Sequence, residues 1–446
     1  MATTYRTDCE GFHRRDFLKI GAASLFGLNL PDLLRLEAQA KTEGRSKKAT
    51  SVIMLWLAGG PATIDMWDLK PNAPETIRGE FKPIDTKAAG IQISEHLPKM
   101  ADVMDKCTIV RSVHHTIPNH GPGTVWMTTG NKPTPALQYP SLGSVASRLL
   151  PADVGVPPYV TFSDLRNGAA GGAGYLGTAY NPFTVEGAGG RAQGEKGGGN
   201  TLRVRGITLP NGFTLEELDN RDQLLQAFDS HFKTLDKSSD LAEGLDAFHK
   251  QALEILRSDK TKKAFNLNQE KQSLRDDYGT SGAGLGALAA RRLVQAGVRF
   301  VTVSIGGWDT HQGTFTSHKS RLQPETDRVL ATLIKDLSDQ GMLDSTIVYC
   351  AGEFGRTPKV NQRAGRDHWA RSLSVVLAGG GFKKGYAHGT TDAQGMAPAT
   401  EPCTPDDVAA TIFHAMGIDP MHELQTPTGR PIALFREGRV IDKLLS

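Results

Sequence analysis

Carboxylates and imidazoles recur in this sequence immediately beside runs that read as strands. Asp65 and Asp68 follow the apolar run 50–57, and Trp308, Asp309 and His311 follow 298–305. Glu353, Arg356 and Thr357 follow 345–350, whereas Asp367 and His368 precede 372–377. His114, His115, Thr116, Asn119 and His120 follow 107–113. In an open α/β sheet, ligands bind beyond the carboxyl ends of the strands. These segments therefore carry acids and imidazoles towards what is expected to be one edge. Imidazole combined with carboxylate suits zinc, manganese or iron better than a metal that prefers thiolates. Asp309 and His311 stand two residues apart, so both point the same way if the chain there is extended. One Asp-x-His is common in loops; its repetition beside several strands is what carries weight.

The elements that must hold these groups alternate. Ser51-Val-Ile-Met-Leu-Trp-Leu57 is continuously apolar and runs into Ala58-Gly59-Gly60-Pro61, as a central parallel strand does. Residues 107–113 form a second strand, and 158–162 a weaker third. A helix is expected over 285–296, stopped by Gly297, and a strand over 298–305. A second helix follows over 325–340, with Leu330, Leu333, Ile334 and Leu337 on one face and Gly341 as its stop. Strands at 345–350 and 372–377 come next. Thr404-Pro405-Asp406-Asp407 then opens a helix with a capping hydroxyl, Pro at the first turn and acids beside the positive helix end. Strands alternating with helices predict an α/β sandwich on a mostly parallel sheet. Two stretches read as insertions: a Gly/Ala-rich surface loop at 167–199, and a polar helical segment at 214–278 that forms a cap or side bundle.

Composition sets the class. Of 446 residues, 39% are hydrophobic and 22% charged, as in ordinary globular proteins. The formal net charge of +3, without long runs of one sign, argues against a nucleic-acid partner. The first 40 residues differ. Arg14-Arg15-Asp16-Phe17-Leu18-Lys19 precedes a modest apolar stretch over 20–30, and Ala38-Gln39-Ala40 supplies a small-x-small cleavage pattern. This order resembles a twin-arginine export signal over 1–40, with a linker over 41–49 and one folded domain over 50–446. The expected partner during export is the twin-arginine translocase, and the expected location is periplasmic or secreted. The apolar stretch is too short and Gly-rich to span a bilayer, so the mature chain is expected to lack a membrane span. Cys9 falls within the signal; Cys107, Cys350 and Cys403 do not make a disulfide framework.

Four segments together resemble the signatures of a bacterial family known as domain of unknown function 1501. They are Leu57-Ala58-Gly59-Gly60-Pro61-Ala62-Thr63-Ile64-Asp65, Gly307-Trp308-Asp309-Thr310-His311, Gly352-Glu353-Phe354-Gly355-Arg356-Thr357-Pro358 and Gly365-Arg366-Asp367-His368-Trp369. The match spans about 50–436. The family often carries the twin-arginine signal, is common in planctomycetes, and is related to the alkaline phosphatase and sulfatase-like superfamily. The resemblance implies an alkaline phosphatase-like three-layer sandwich. It also implies a site with up to two divalent ions, zinc, manganese or calcium. Asp309, His311 and His368 match the first ion's ligands in order. Asp65 and Glu353 match two carboxylates of the second. Phe354 stands where relatives have an imidazole, which weakens that second position.

The run Thr116-Ile117-Pro118-Asn119-His120 resembles the nucleophile segment of nucleotide phosphodiesterases in the same superfamily. It implies Thr116 as nucleophile and Asn119 as oxyanion donor. His120 is open to two roles, metal ligand or acid/base group. Arg356 and Arg366 are candidate anion clamps, since guanidinium offers a planar fork to phosphate or sulfate. Cys107-x-x-x-Arg111 lacks the Pro that a sulfatase-type modified cysteine requires, because Ile109 takes that place. The resemblance implies a metal-dependent hydrolase acting on a small anionic phosphate or sulfate ester. The alternative is a catalytically degenerate binding or scaffold protein of the envelope on the same fold.

Overall fold

The computed structural model describes residues 49–150, 152–162, 171–185, 254 and 257–446. The expected export signal and nearly all of the linker lie outside the described residues, as does much of the two expected insertions.

Eight strands of the described residues make one sheet. They are β1 (Ser51–Ala58), β2 (Cys107–Val113), β3 (Tyr159–Thr161), β4 (Phe183–Thr184), β5 (Phe300–Gly306), β6 (Thr346–Ala351), β7 (Leu373–Ala378) and β8 (Tyr386–His388). Their order across the sheet is β8-β2-β7-β6-β1-β5-β3-β4. Neighbours pair in parallel except β7, which runs antiparallel to both β6 and β2. Central β1 pairs along almost its whole length with β5 and β6. Its uninterrupted apolar sequence follows from that position, because both of its faces are covered.

Alternate residues of β1 enter opposite layers, as the two-residue period of a strand requires. Ile53, Leu55 and Leu57 join one buried cluster with Met100, Leu285, Leu288, Leu330, Leu333, Ile334 and Leu337. Val52, Met54 and Trp56 join the other with Met127, Leu142, Val145, Val408, Ile412 and Phe413. The helices behind those names are α1 (Pro98–Val103), α2 (His120–Thr129), α3 (Leu142–Leu149), α4 (Gly282–Gln295), α5 (Gln323–Asp339) and α6 (Pro405–Ala415). Helices α1, α4 and α5 cover one face, and α2, α3 and α6 the other. The fold is therefore the expected α/β three-layer sandwich on a mostly parallel sheet.

Local signals set most boundaries. α6 is opened by a full capping box in which the Thr404 side chain and Asp407 satisfy each other's backbone N–H groups. α5 begins earlier than its periodicity predicts, because a π-helical turn at His318–Leu322 leads into it. β4 and β8, at two and three residues, are too short to leave a sequence period. No helix among the described residues is long and apolar enough to cross a membrane.

The reversed strand matters most for function. Because β7 runs against its neighbours, its amino end lies at the edge where β1, β5 and β6 end. Residues preceding β7 thus meet residues following the others. A short antiparallel pairing of His368–Trp369 with Gly355–Arg356 fixes this approach and sets His368 opposite Arg356.

Candidate metal centre

Four side chains from three segments converge at that edge: His120 at the start of α2, Asp309 and His311 after β5, and His368 before β7. Asp309 Oδ1 lies 3.1 Å from His311 Nε2 and 3.2 Å from His368 Nε2. The two Nε2 atoms are 3.0 Å apart. On the other side, Asp309 Oδ2 is 3.2 Å from His120 Nε2. Among the described residues, ligand atoms of His120, Asp309 and His368 form a group compact enough for one metal ion.

Two backbone features bring the segments this close. Gly59, with φ of 120°, lets the β1 turn pass so near the next loop that a Cβ there would fall 2.5 Å from Asp309 N. At Gly365 a Cβ would fall 2.1 Å from the His311 carbonyl. The loops are also tied by Arg366 N–H to Thr310 O at 3.2 Å and Thr314 N–H to Ala364 O at 2.8 Å.

The outer contacts decide which nitrogen of each imidazole carries its proton. His368 Nδ1 is 3.0 Å from the Pro118 carbonyl, which only accepts, so Nδ1 must donate. His311 Nδ1 is 2.7 Å from Asp367 Oδ1, and His120 Nδ1 is 2.6 Å from Glu353 Oε1. Both carboxylates likewise call for a donating Nδ1. In the neutral rings every Nε2 is then a lone pair. Three lone pairs thus face one another and a carboxylate, an arrangement that repels itself unless a cation lies among them. His120 Nε2 is buried without a hydrogen-bond partner among the described residues. Burial above all, with Arg356 nearby, lowers the His368 pKa and so favours its neutral ring. Burial works against the Asp309 carboxylate, yet the hydrogen bond and charge of Arg356 hold its pKa well below the usual range.

These spacings fit a metal. Ligand atoms about 2.1 Å from a tetrahedral zinc stand about 3.4 Å from one another. Imidazole-rich donors suit zinc or manganese; calcium, with its preference for six to eight oxygens, does not fit three imidazoles.

Other expected site residues sit differently. Asp65 is not brought into the cluster. It is buried in a bidentate pair with Arg366, whose Nε and Nη2 lie 2.8 and 2.7 Å from its two oxygens. Glu353 is buried behind His120, and both its oxygens accept the Gly59 N–H, at 2.9 and 3.2 Å. It orients His120 rather than facing the lone pairs. The expectation that Arg356 and Arg366 clamp an anion is corrected. Both guanidiniums are fully buried, and their donors turn inward. Arg356 binds the carbonyls of Gly59, Gly60, Trp308 and Arg366 and lies 2.6 Å from Asp309 Oδ1. Arg366 also binds the carbonyls of Ile77, Thr357 and Pro358. Phe354 packs its ring 5.1 Å from His120 and 4.5 Å from His368. Thr116 and Asn119 are exposed in the loop whose Pro118 carbonyl holds His368.

The sequence reading missed Asp367 and the Pro118 carbonyl as orienting groups. The adjacent acid and imidazole of Asp367-His368 were a usable signal. A backbone carbonyl leaves none.

A search of curated proteins finds no match by sequence. Similar solved structures include the PsFucS1 sulfatase from Pseudoalteromonas sp., at 10% identity and TM-score 0.40, covering 94% of this chain and 77% of that one. The phosphonate monoester hydrolase SpPMH from Silicibacter pomeroyi is 11% identical with TM-score 0.34, covering 89% and 76%. A TAB5 alkaline phosphatase mutant is 12% identical with TM-score 0.37, covering 84% and 100%. The model of the family described as "Protein of unknown function (DUF1501)" matches residues 49–445, and the chain belongs to that family.

Proposed function

We propose that this chain is an exported, metal-dependent hydrolase-like protein acting on a phosphate or sulfate ester. The observation that carries the reading is the convergence of three imidazole Nε2 atoms on the Asp309 carboxylate, each ring held from behind at its Nδ1. Asp309, His311 and His368 would hold the ion, with His120 as a further ligand or as the acid/base group. When bound, a divalent ion polarises an ester oxygen and eases ionisation of a nearby hydroxyl. The chain's own residues supply the rest. Thr116, exposed in the loop ending at His120, is the proposed nucleophile, and Asn119 the donor to an ester oxygen. Glu353, Asp367 and Pro118 fix the three rings through their Nδ1 atoms. The ester class and the twin-arginine route rest on the sequence motifs, and export is checked by cell fractionation.

The test is elemental analysis of the purified protein together with assays on aryl phosphates and aryl sulfates. His311→Ala should lose both ion and turnover, whereas Thr116→Ala should keep the ion and lose turnover. A protein that holds no divalent ion, gains no stability from added ions and cleaves neither ester overturns the proposal. Phe354 in place of an imidazole favours a second reading, a binding or scaffold protein of the envelope. An ion held without any turnover would select that reading.

A further inference from the structure

The number of ions follows from the same residues, and the inference rests on the metal-centre reading above. The family resemblance implies a second ion held by Asp65, an acid and imidazole after a middle strand, and the nucleophile. None of the first three is available here. Asp65 is 1% exposed and both its oxygens are taken by Arg366. Burial raises its pKa and Arg366 opposes that rise, as in an enclosed ion pair. Glu353 is 1% exposed and accepts the Gly59 N–H on both oxygens while holding His120. At the imidazole position stands Phe354, a hydrocarbon ring lying against His120 and His368. Arg356, finally, sets a permanent positive charge 2.6 Å from Asp309 Oδ1. A second divalent ion near that carboxylate would face this fixed cation, with neither Asp65 nor Glu353 open to offset it.

We infer that the centre is mononuclear, with the buried guanidinium of Arg356 setting fixed positive charge beside Asp309 in place of a second ion. A guanidinium charge cannot be removed by chelation.

The test titrates metal-stripped full-length protein with Zn²⁺ by calorimetry, and with Mn²⁺ by electron paramagnetic resonance. The expected result is saturation at one equivalent, with one ion per chain retained after gel filtration and an isolated-ion manganese spectrum. Two equivalents of similar affinity, or a spin-coupled manganese spectrum, overturn the inference while leaving the metal-centre reading standing. No retained ion at all overturns both.

Discussion

Asp367 Oδ1 lies 2.7 Å from His311 Nδ1, and the same carboxylate is steadied by Asn361 Nδ2 at 3.3 Å from each of its oxygens. Asn361 also binds the His311 carbonyl at 3.1 Å. The ring is thus fixed in both tautomer and direction by groups that do not face the lone pairs. Outer contacts of this kind change metal affinity by about 10–100-fold. Asp367→Ala should therefore weaken ion binding by about that factor, and Asp367→Asn, which keeps an acceptor, should fall between. His422→Ala, on the exposed surface, should leave affinity unchanged. Chelator-competition titration decides; wild-type affinity in Asp367→Ala would remove the carboxylate from this role.

The approach of the 309–313 loop to residue 365 gives a second prediction. A methyl group at Gly365 would sit 2.1 Å from the His311 carbonyl carbon and oxygen, so one loop must move. Overpacking costs about 1–3 kcal/mol. Here it also displaces a proposed ligand. Gly365→Ala should lower both stability and ion affinity. Gly306→Ala, at the end of β5 with open space around it, should change neither. Equal behaviour of the two variants in thermal melts and metal titrations would show that the close approach is not needed.

The fold was legible because its strands are buried on both faces. The run 52–57 had no polar interruption, and helix α5 kept its Leu330, Leu333, Ile334 and Leu337 stripe. That Asp309, His311 and His368 meet was legible because acids and imidazoles recur beside several strand ends of one sheet edge. The fates of Asp65, Arg356 and Arg366 were not. Whether a guanidinium meets a ligand or a neighbouring carboxylate depends on which loop covers it, and Arg366 is covered in part by the segment at Ile77, 289 positions away in sequence. The reversal of β7 was equally hidden, since a short, mostly apolar strand reads alike in either direction.

The Asp65–Arg366 pair should respond unevenly to substitution. Removing one partner of a buried ion pair costs about 3–5 kcal/mol because the other charge remains buried. Arg366→Met should lose about that much in urea unfolding. Adding Asp65→Leu to Arg366→Met should recover part of the loss by removing the stranded carboxylate. The recovery will be incomplete, because the Ile77, Thr357 and Pro358 carbonyls also lose their donor. Strictly additive losses would mean that the two side chains are not coupled.

His318 predicts the pH response. Its ring is fully buried, 5.1 Å from Trp308, and Nδ1 accepts from Gln323 Nε2 at 3.2 Å. Burial first, then the charges of Arg366 and Arg356, pushes its pKa down to about 3. In the unfolded chain the ring titrates near 6.5. Below that pH the unfolded state binds a proton that the folded state refuses, so stability falls as pH falls. The stabilisation is complete above about pH 6.5 and declines by about 1.4 kcal/mol per pH unit towards pH 3. His115, pushed down to about 4 mainly by burial, adds to the same trend in the wild type. The contribution of His318 is therefore isolated by difference, using urea unfolding of wild type and His318→Gln between pH 7.5 and 4.5. The wild type should lose about 2–3 kcal/mol more than the variant over this range. A stability difference independent of pH would mean that the ring takes up its proton in the folded protein as readily as in water.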